Sequence, residues 1–336
     1  MPRPCIPHPV PRTQSPRTRI MYEKLQALDA ININFSPESL HIVNLILALV
    51  MYGVALGIRP QTFRNVLLFP KAAFVGLFAQ AIALPAITFL LVVLLNNWIT
   101  PMMAMGMILV ASCPGGNMSN FMSQLSRGNA ELSISLTAIG TVITPILTPA
   151  NFFLWGGLYI NFVNNQAGEA IWLRIPFMDT FKLVLLLLGI PLLLGILTVK
   201  YFPKIAKKIK KPLQNLSVAL FLILIVVAFS NNLDIFWSPI FIFIFVLVLV
   251  HNSAVLATGY GLATLFKLPP KDRRALTIET GIQNSGLGLV LLFNLMNRGV
   301  LTDPIGGMLV VTAWWGIWHI ISGLSISFFW SRRAAK

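Results

Sequence analysis

Nine apolar stretches, each near the length at which a helix crosses a bilayer, decide what this chain is able to fold into. A spanning helix needs roughly 20 mostly apolar residues. Such stretches run Leu40–Ile58, Pro70–Leu95, Pro101–Leu125, Leu132–Tyr159, Phe177–Val199, Leu213–Ser230, Pro239–Phe266, Ala275–Met296 and Pro304–Trp330. They take up most of the 336 residues, and only 10% of the chain is charged. A soluble domain carries about 25% charged residues. A soluble enzyme, a disordered chain and a secreted disulfide scaffold are excluded on that ground. An outer-membrane barrel alternates apolar and polar residues along each strand, and these stretches do not. The expected fold class is an all-α polytopic membrane protein with nine transmembrane helices. Cys5 and Cys113 are too far apart in character, one in a polar tail and one in a span, to suggest a disulfide or a metal site.

The charge imbalance has a topological reading. The chain holds 25 Lys+Arg against 10 Asp+Glu, a net +15. In a soluble protein that excess points to nucleic acid. Here the basic residues fall in alternate connections. Arg59, Arg64 and Lys71 follow the first span, and Arg127 follows the third. Lys200, Lys204, Lys207, Lys208, Lys210 and Lys211 follow the fifth. Lys267, Lys271, Arg273 and Arg274 follow the seventh, and Arg332, Arg333 and Lys336 end the chain. The intervening connections are nearly uncharged. Basic residues are retained on the cytoplasmic side, so the N-terminus is expected outside and the C-terminus in the cytoplasm. An integral, multi-pass protein of the cell (inner) membrane, if the source is bacterial, fits this pattern. Residues 1–39 read as an N-terminal tail, of which 1–20 show no helical period and no signal-peptide h-region. Translation from Met21 would remove those 20 residues and their four arginines.

Two of the nine stretches are not smooth. The third contains A-S-C-P-G-G-N-M-S-N-F from Ala111 to Phe121, and the eighth I-E-T-G-I-Q-N-S-G-L-G from Ile278 to Gly288. Proline removes a helical hydrogen bond and glycine is a weak helix former. Non-helical backbone at membrane depth is tolerated only against protein or a watery cavity. Spans three and eight are an odd number of crossings apart, so they run in opposite directions. Spans one to four and six to nine then form an inverted-topology repeat, with span five unpaired. Matched interruptions in two halves point to the substrate and ion site of a secondary transporter.

Of the ten acidic residues, Glu279 is the one deep in a span. A charge at the bilayer centre costs at least ~2.5 kcal/mol. No Lys or Arg lies at comparable depth, so its partner is a bound cation or a proton. Oxygen-bearing side chains surround it in sequence terms: Ser119, Asn120, Gln283 and Asn284 in the interrupted segments, Gln80 on the second span, Ser133 and Thr137 on the fourth. Ser133 and Thr137 are one helical turn apart and share a face. Such sulfur-free sets suit hard cations, and one carboxylate with neutral oxygens suits a monovalent one. The second half of each interrupted span starts near Asn117 and Asn284, with free amides and a positive dipole end that favour a carboxylate. Cation-coupled uptake of an organic anion is the function these residues imply. His251 reads as a structural group, and His319 as a cavity candidate because its span pairs with the fourth.

On the C-P-G-G-x-x-S-N stretch at Cys113–Asn120, the L-x-R-G-N stretch at Leu125–Asn129 and the E-x-G-x-Q-N-S-G stretch at Glu279–Gly286, the chain resembles the bile acid:sodium symporter (BASS/SBF) family over about Leu40–Trp330. The resemblance implies that the first helix of the family's ten-helix members has no counterpart here, since residues 1–39 are not expected to form one. The resemblance implies a single transporter domain over 40–330. A panel would comprise about 40–58 and 177–230, and a core about 70–159 and 239–330, with a basic tail at 331–336. It implies one sodium site from Ser119, Asn120, Ser133, Thr137 and Glu279. A second would use Gln80, Glu279 and Gln283 with the carbonyls of Thr280 and Ile282. Substrate contacts would come from Asn117, Met118, Ser119, Asn284, Ser285 and His319. Ile320 stands where relatives often carry a polar residue, which removes one polar contact from the cavity. No cofactor is expected beyond Na⁺ as coupling ion, the partners are a small organic anion and the bilayer, and the monomer is the expected state. The anion is a carboxylate such as pantoate, pyruvate or a bile-acid-like molecule. Two other readings are a proton-coupled anion transporter and, remotely, an intramembrane serine hydrolase built on Ser285 and His319.

Overall fold

The computed structural model describes residues 16–29, 37–58, 68–116, 118–167, 177–230, 239–297, 301 and 304–333. These form helices throughout, in the order α1 (Pro16–Asp29), α2 (Pro37–Ala55), α3 (Pro70–Leu94), α4 (Pro101–Ser112), α5 (Met118–Leu125), α6 (Ala130–Ala167), α7 (Phe177–Tyr201), α8 (Pro203–Ser230), α9 (Pro239–Leu265), α10 (Pro270–Gly281), α11 (Ser285–Asn297) and α12 (Gly306–Ser331). Among the described residues there is no β-strand, only an isolated bridge between Gly115 and Gln283. Asn117 and all of residues 1–15, Cys5 included, lie outside the described residues.

The stretches anticipated at 101–125 and 275–296 are each two short helices, α4 with α5 and α10 with α11. Proline begins α2, α3, α4, α8, α9 and α10, where its missing N–H costs no hydrogen bond. Helix α6 is longer than the sequence suggests, 38 residues with Pro145 and Pro149 inside it. Helix α3 carries a π turn at Ala79–Ala83 and α7 another at Leu185–Gly189.

Small residues set the closest helix approaches. Gly195 of α7 lies against Ala55 of α2, where a Cβ would come within 2.3 Å of the alanine methyl. Helices α2, α7 and α8 pack on one another. Elsewhere α12 lies along α4, with Gly106 against the Met308 backbone. Helix α9 runs along α10, where Gly259 faces Thr280 and Gly281 faces Leu256. The largest apolar cluster fills the space among α4, α11 and α12 with residues such as Met105, Leu109, Phe293 and Trp315.

The N-terminal segment differs from an unstructured tail over 16–29. Helix α1 buries Tyr22, Leu25 and Leu28, and Asp29 at its end is also buried. The Thr100 hydroxyl donates to Asp29 Oδ1 at 3.1 Å, and the Gly307 amide donates to the same carboxyl. A Cβ at Gly307 would strike Asp29 Oδ1. One carboxyl thus meets the first turns of both α4 and α12, where helix dipoles favour negative charge. Burial nevertheless pushes this carboxyl up to about 7, against the downward pull of those two hydrogen bonds. No pattern in the sequence announces this docking, because α1 is polar on average and weakly periodic.

Candidate functional site: a crossing of two broken helices

After Ser112 the chain leaves the helix, with Cys113 extended at φ −75°, ψ 156°. After Gly281 it does the same, with Ile282 at φ −114°, ψ 101°. The two freed segments meet. The Gly116 amide donates to the Ile282 carbonyl at 2.7 Å, and the Asn284 amide donates to the Pro114 carbonyl at 2.8 Å. Gly115 and Gln283 face each other as the antiparallel pair between these bonds. The reciprocal bonds satisfy backbone groups that would otherwise be orphaned inside apolar surroundings. They also relate the two breaks by a local two-fold.

Glu279 sits one turn before its break, 4% exposed. Three hydroxyls donate to its carboxylate: Ser119 Oγ to Oε2 at 2.6 Å, Ser133 Oγ to Oε2 at 2.8 Å and Thr137 Oγ1 to Oε1 at 2.7 Å. Asn120 Oδ1 lies 3.0 Å from Ser133 Oγ and 3.1 Å from Thr137 Oγ1. Thr137 Oγ1 is also 3.0 Å from the Ser133 carbonyl and 3.4 Å from Ser119 Oγ. These are seven close oxygen–oxygen approaches. Each hydroxyl carries one hydrogen, and an ionised carboxylate and an amide oxygen carry none. With Glu279 ionised, three hydrogens serve seven approaches. The cluster has more oxygen lone pairs pointing inward than protons to meet them, which is the electrostatic condition for holding a cation.

The remaining sequence-predicted oxygens lie on the other side of the crossing. The π turn in α3 aims Gln80 at it, a known use of such turns at functional positions. Gln80 Nε2 donates to Gln283 Oε1 at 3.0 Å, and Gln283 Nε2 donates to the Thr280 carbonyl at 2.7 Å. The Ile282 carbonyl accepts from Gly116. Gly115 wedges between Glu279 and Gln80: a Cβ there would lie 2.6 Å from Glu279 Oε1 and 3.3 Å from Gln80 Nε2.

Two further half-helices begin at the crossing. Asn284 caps α11, its Oδ1 accepting the Leu287 amide at 3.1 Å. Ser285 opens α11 with its hydroxyl buried and without a hydrogen-bond partner among the described residues. Met118 and Ser119 open α5, and Ser119 gives its hydroxyl to Glu279. A small cavity, with room for about one water, lies beside Pro114, Gly115 and Asn284 and is lined also by Met51 and Val54 of α2 and Leu188 of α7. Thr141 and Thr144 complete its wall from α6. His319 is not in that wall. Its Nδ1 lies 2.9 Å from the Trp315 carbonyl of its own helix. His251 is held 2.8 Å from Thr88 Oγ1 and lies against the Trp315 ring at 4.5 Å.

The sequence reading missed one brace. Asn252 of α9 donates from Nδ2 to the Gly281 carbonyl at 2.9 Å, and its Oδ1 accepts from Ser322 Oγ of α12 at 2.6 Å. It ties the end of α10 to two other helices, two residues beyond Glu279. The available signal was a second polar residue beside His251 in V-H-N-S, in the middle of a span. Asn252→Leu strands the buried Gly281 carbonyl and leaves the half-buried Ser322 hydroxyl with only the His319 carbonyl at 3.2 Å. Loss of a buried partner costs about 1–3 kcal/mol. We expect a lower melting temperature and a severalfold weaker sodium-dependent thermal shift, measured by thermal unfolding with and without Na⁺.

Among the described residues, five helices are long and apolar enough to cross a membrane: Pro70–Leu94, Ala130–Asn165, Phe177–Tyr201, Ile240–Leu265 and Gly306–Ser331. Together with shorter apolar helices paired across two breaks, they define an integral membrane protein of the transporter class. The sodium bile acid symporter family model matches residues 44–239, more than half of the chain, and the protein belongs to that family. It is 29% identical over 295 residues to an uncharacterized sodium-dependent transporter, YocS, of Bacillus subtilis, covering 88% of this chain and 84% of that one. It is 30% identical over 290 residues to the probable sodium/metabolite cotransporter BASS1, chloroplastic, of Arabidopsis thaliana, covering 86% and 67%. It is 29% identical over 292 residues to sodium/bile acid cotransporter 4 of Homo sapiens, covering 87% and 60%. These relatives are named transporters or cotransporters, not enzymes, and the hydrolase reading of Ser285 and His319 falls with that.

Proposed function

We propose that the protein is a sodium-coupled symporter of a small organic anion that works by alternating access. The observation that carries this is the proton-poor oxygen cluster around Glu279. One Na⁺ would be held by Ser119, Asn120, Ser133, Thr137 and Glu279. A second would use Gln80, Glu279, Gln283 and the second lone pairs of the Thr280 and Ile282 carbonyls. The anion would enter beside the breaks, where the small cavity must widen to admit it, and meet the first turns of α5 and α11, at Asn117, Met118, Ser119, Asn284 and Ser285. His319 of α12, which lies outside the cavity wall, would join the anion's contacts only when the site opens. No cationic side chain lines the cavity among the described residues, so the half-helix amides and the bound sodium supply the positive field. The empty site carries one negative charge, which favours sodium binding before the anion.

The mutual packing of α2, α7 and α8 supports a panel, and the remaining helices from α3 onward a core. The local two-fold at the crossing supports an inverted repeat and nine spans. The chain would sit in the cell membrane as a monomer, N-terminus outside and C-terminus inside.

Uptake by proteoliposomes should collapse when Na⁺ is replaced by K⁺ or choline. Uptake that persisted and followed a pH gradient would establish proton coupling instead. A thermal-shift screen of organic anions, each with and without Na⁺, would identify the substrate, since a ligand stabilises the state it binds.

A further inference from the structure

The junction of α7 and α8 concentrates six lysines in twelve residues, from Lys200 to Lys211. Retention of basic residues inside explains their presence but not their arrangement. Helix α8 packs on α2. Ala206 is buried, and Ile209, Lys210 and Leu213 are half-buried. At 3.6 residues per turn these positions share one side of the helix. Lys204, Lys207, Lys208 and Lys211 fall on the opposite side, within an arc of about 100°. All four are exposed. None of the four has an acidic partner among the described residues. Tyr201, Phe202 and Ile205 are 62%, 59% and 53% exposed on the adjoining turns. Lys200 Nζ stands 5.2 Å from the Tyr201 ring centre. A lysine face bordered by unburied aromatic and aliphatic side chains, at the end of a membrane span, has the composition of a bilayer interface: apolar bodies at headgroup depth and ammonium groups among phosphates.

We propose that this lysine face is a binding site for the headgroups of anionic phospholipids, holding the α2–α8 pair to the leaflet. Polybasic segments beside spans are attracted to anionic lipid in this way. The exposed Tyr201, Phe202 and Ile205 favour a lipid surface over a soluble polyanion, which would leave them in water.

The test uses the full chain in detergent, stripped of lipid and offered equal amounts of phosphatidylglycerol and phosphatidylcholine, with bound lipid counted by native mass spectrometry. The wild type should retain phosphatidylglycerol over phosphatidylcholine. Each lysine near a charged surface contributes about fivefold. K204Q/K207Q/K208Q/K211Q should therefore lower phosphatidylglycerol occupancy at least tenfold, and four arginines at the same positions should keep it. The lysines also guide insertion, so the pair K204Q/K208Q, which leaves four of the six in place, should lose part of the binding with topology intact. Equal retention of both lipids would overturn the proposal, as would a quadruple variant that keeps phosphatidylglycerol. An equal loss on neutralising Lys271, Arg332 and Arg333 would also overturn it, because the site would then be net charge alone. These outcomes are read without sodium or substrate and stand apart from the transport assays.

Discussion

Glu279→Gln should leave a folded protein that no longer responds to sodium. The amide introduces two N–H donors into a cluster that has seven oxygen approaches and three hydrogens. It also removes the negative charge. Both changes act against a cation and in favour of the empty state. Removing one partner of a buried charge pair costs about 3 kcal/mol or more, which corresponds to roughly a hundredfold in affinity. Taking a carboxylate out of the membrane interior relieves a cost of at least ~2.5 kcal/mol. The variant's melting temperature without Na⁺ should therefore equal or exceed that of the wild type. The increment on adding Na⁺, which reaches about 2.7 kcal/mol at a hundred times the dissociation constant, should vanish, and coupled uptake with it. That pairing separates loss of the site from loss of the fold. A variant that kept the full sodium increment would remove Glu279 from the ion site.

Much of this site could be read in one dimension. A carboxylate within an apolar stretch is conspicuous because its insertion is costly. Proline with two glycines in a span is conspicuous because helices do not continue through them. Ser133 and Thr137 declared a shared face by spacing alone. Other parts are invisible to such reasoning for definite causes. The pairing of Gly115 with Gln283 joins segments far apart in the chain, and each reads only as a local interruption. Asn252 is neutral, and an amide in a span carries no signal to separate a brace from a helix–helix contact. The π turn that directs Gln80 lies in a run of Ala, Ile and Leu whose residues suit an α-helix equally well. Helix α4 is buried on every side, so hydrophobic periodicity says nothing of which neighbours it meets. The docking of α1 depends on one carboxyl meeting Thr100 and Gly307, which no pattern within 16–29 announces.

Gly115→Ala tests the crossing itself. Gly115 has no left-handed φ, so its requirement is space and not backbone freedom. The added methyl would come within 2.6 Å of Glu279 Oε1, closer than real Cβ atoms approach anything, and within 3.3 Å of Gln80 Nε2. Three hydroxyls hold the carboxylate and the reciprocal amide bonds hold the backbone, so neither side yields freely. Relaxation must either withdraw Glu279 from the cluster or pull the two breaks apart. Overpacking of this kind costs about 1–3 kcal/mol. The same displacement would spoil both proposed sodium sites, because Glu279 serves each. We expect a lower melting temperature and a loss of more than tenfold in sodium affinity, read from the Na⁺ dependence of thermal unfolding. Gly157→Ala is the matched control. A Cβ there meets nothing within 4 Å, and Ala is the better helix former by about 1 kcal/mol. It should leave sodium binding unchanged. If Gly115→Ala behaved like Gly157→Ala, the close approach of the two breaks would not be what fixes Glu279, and the ion site would have to be organised from α5 and α6 alone.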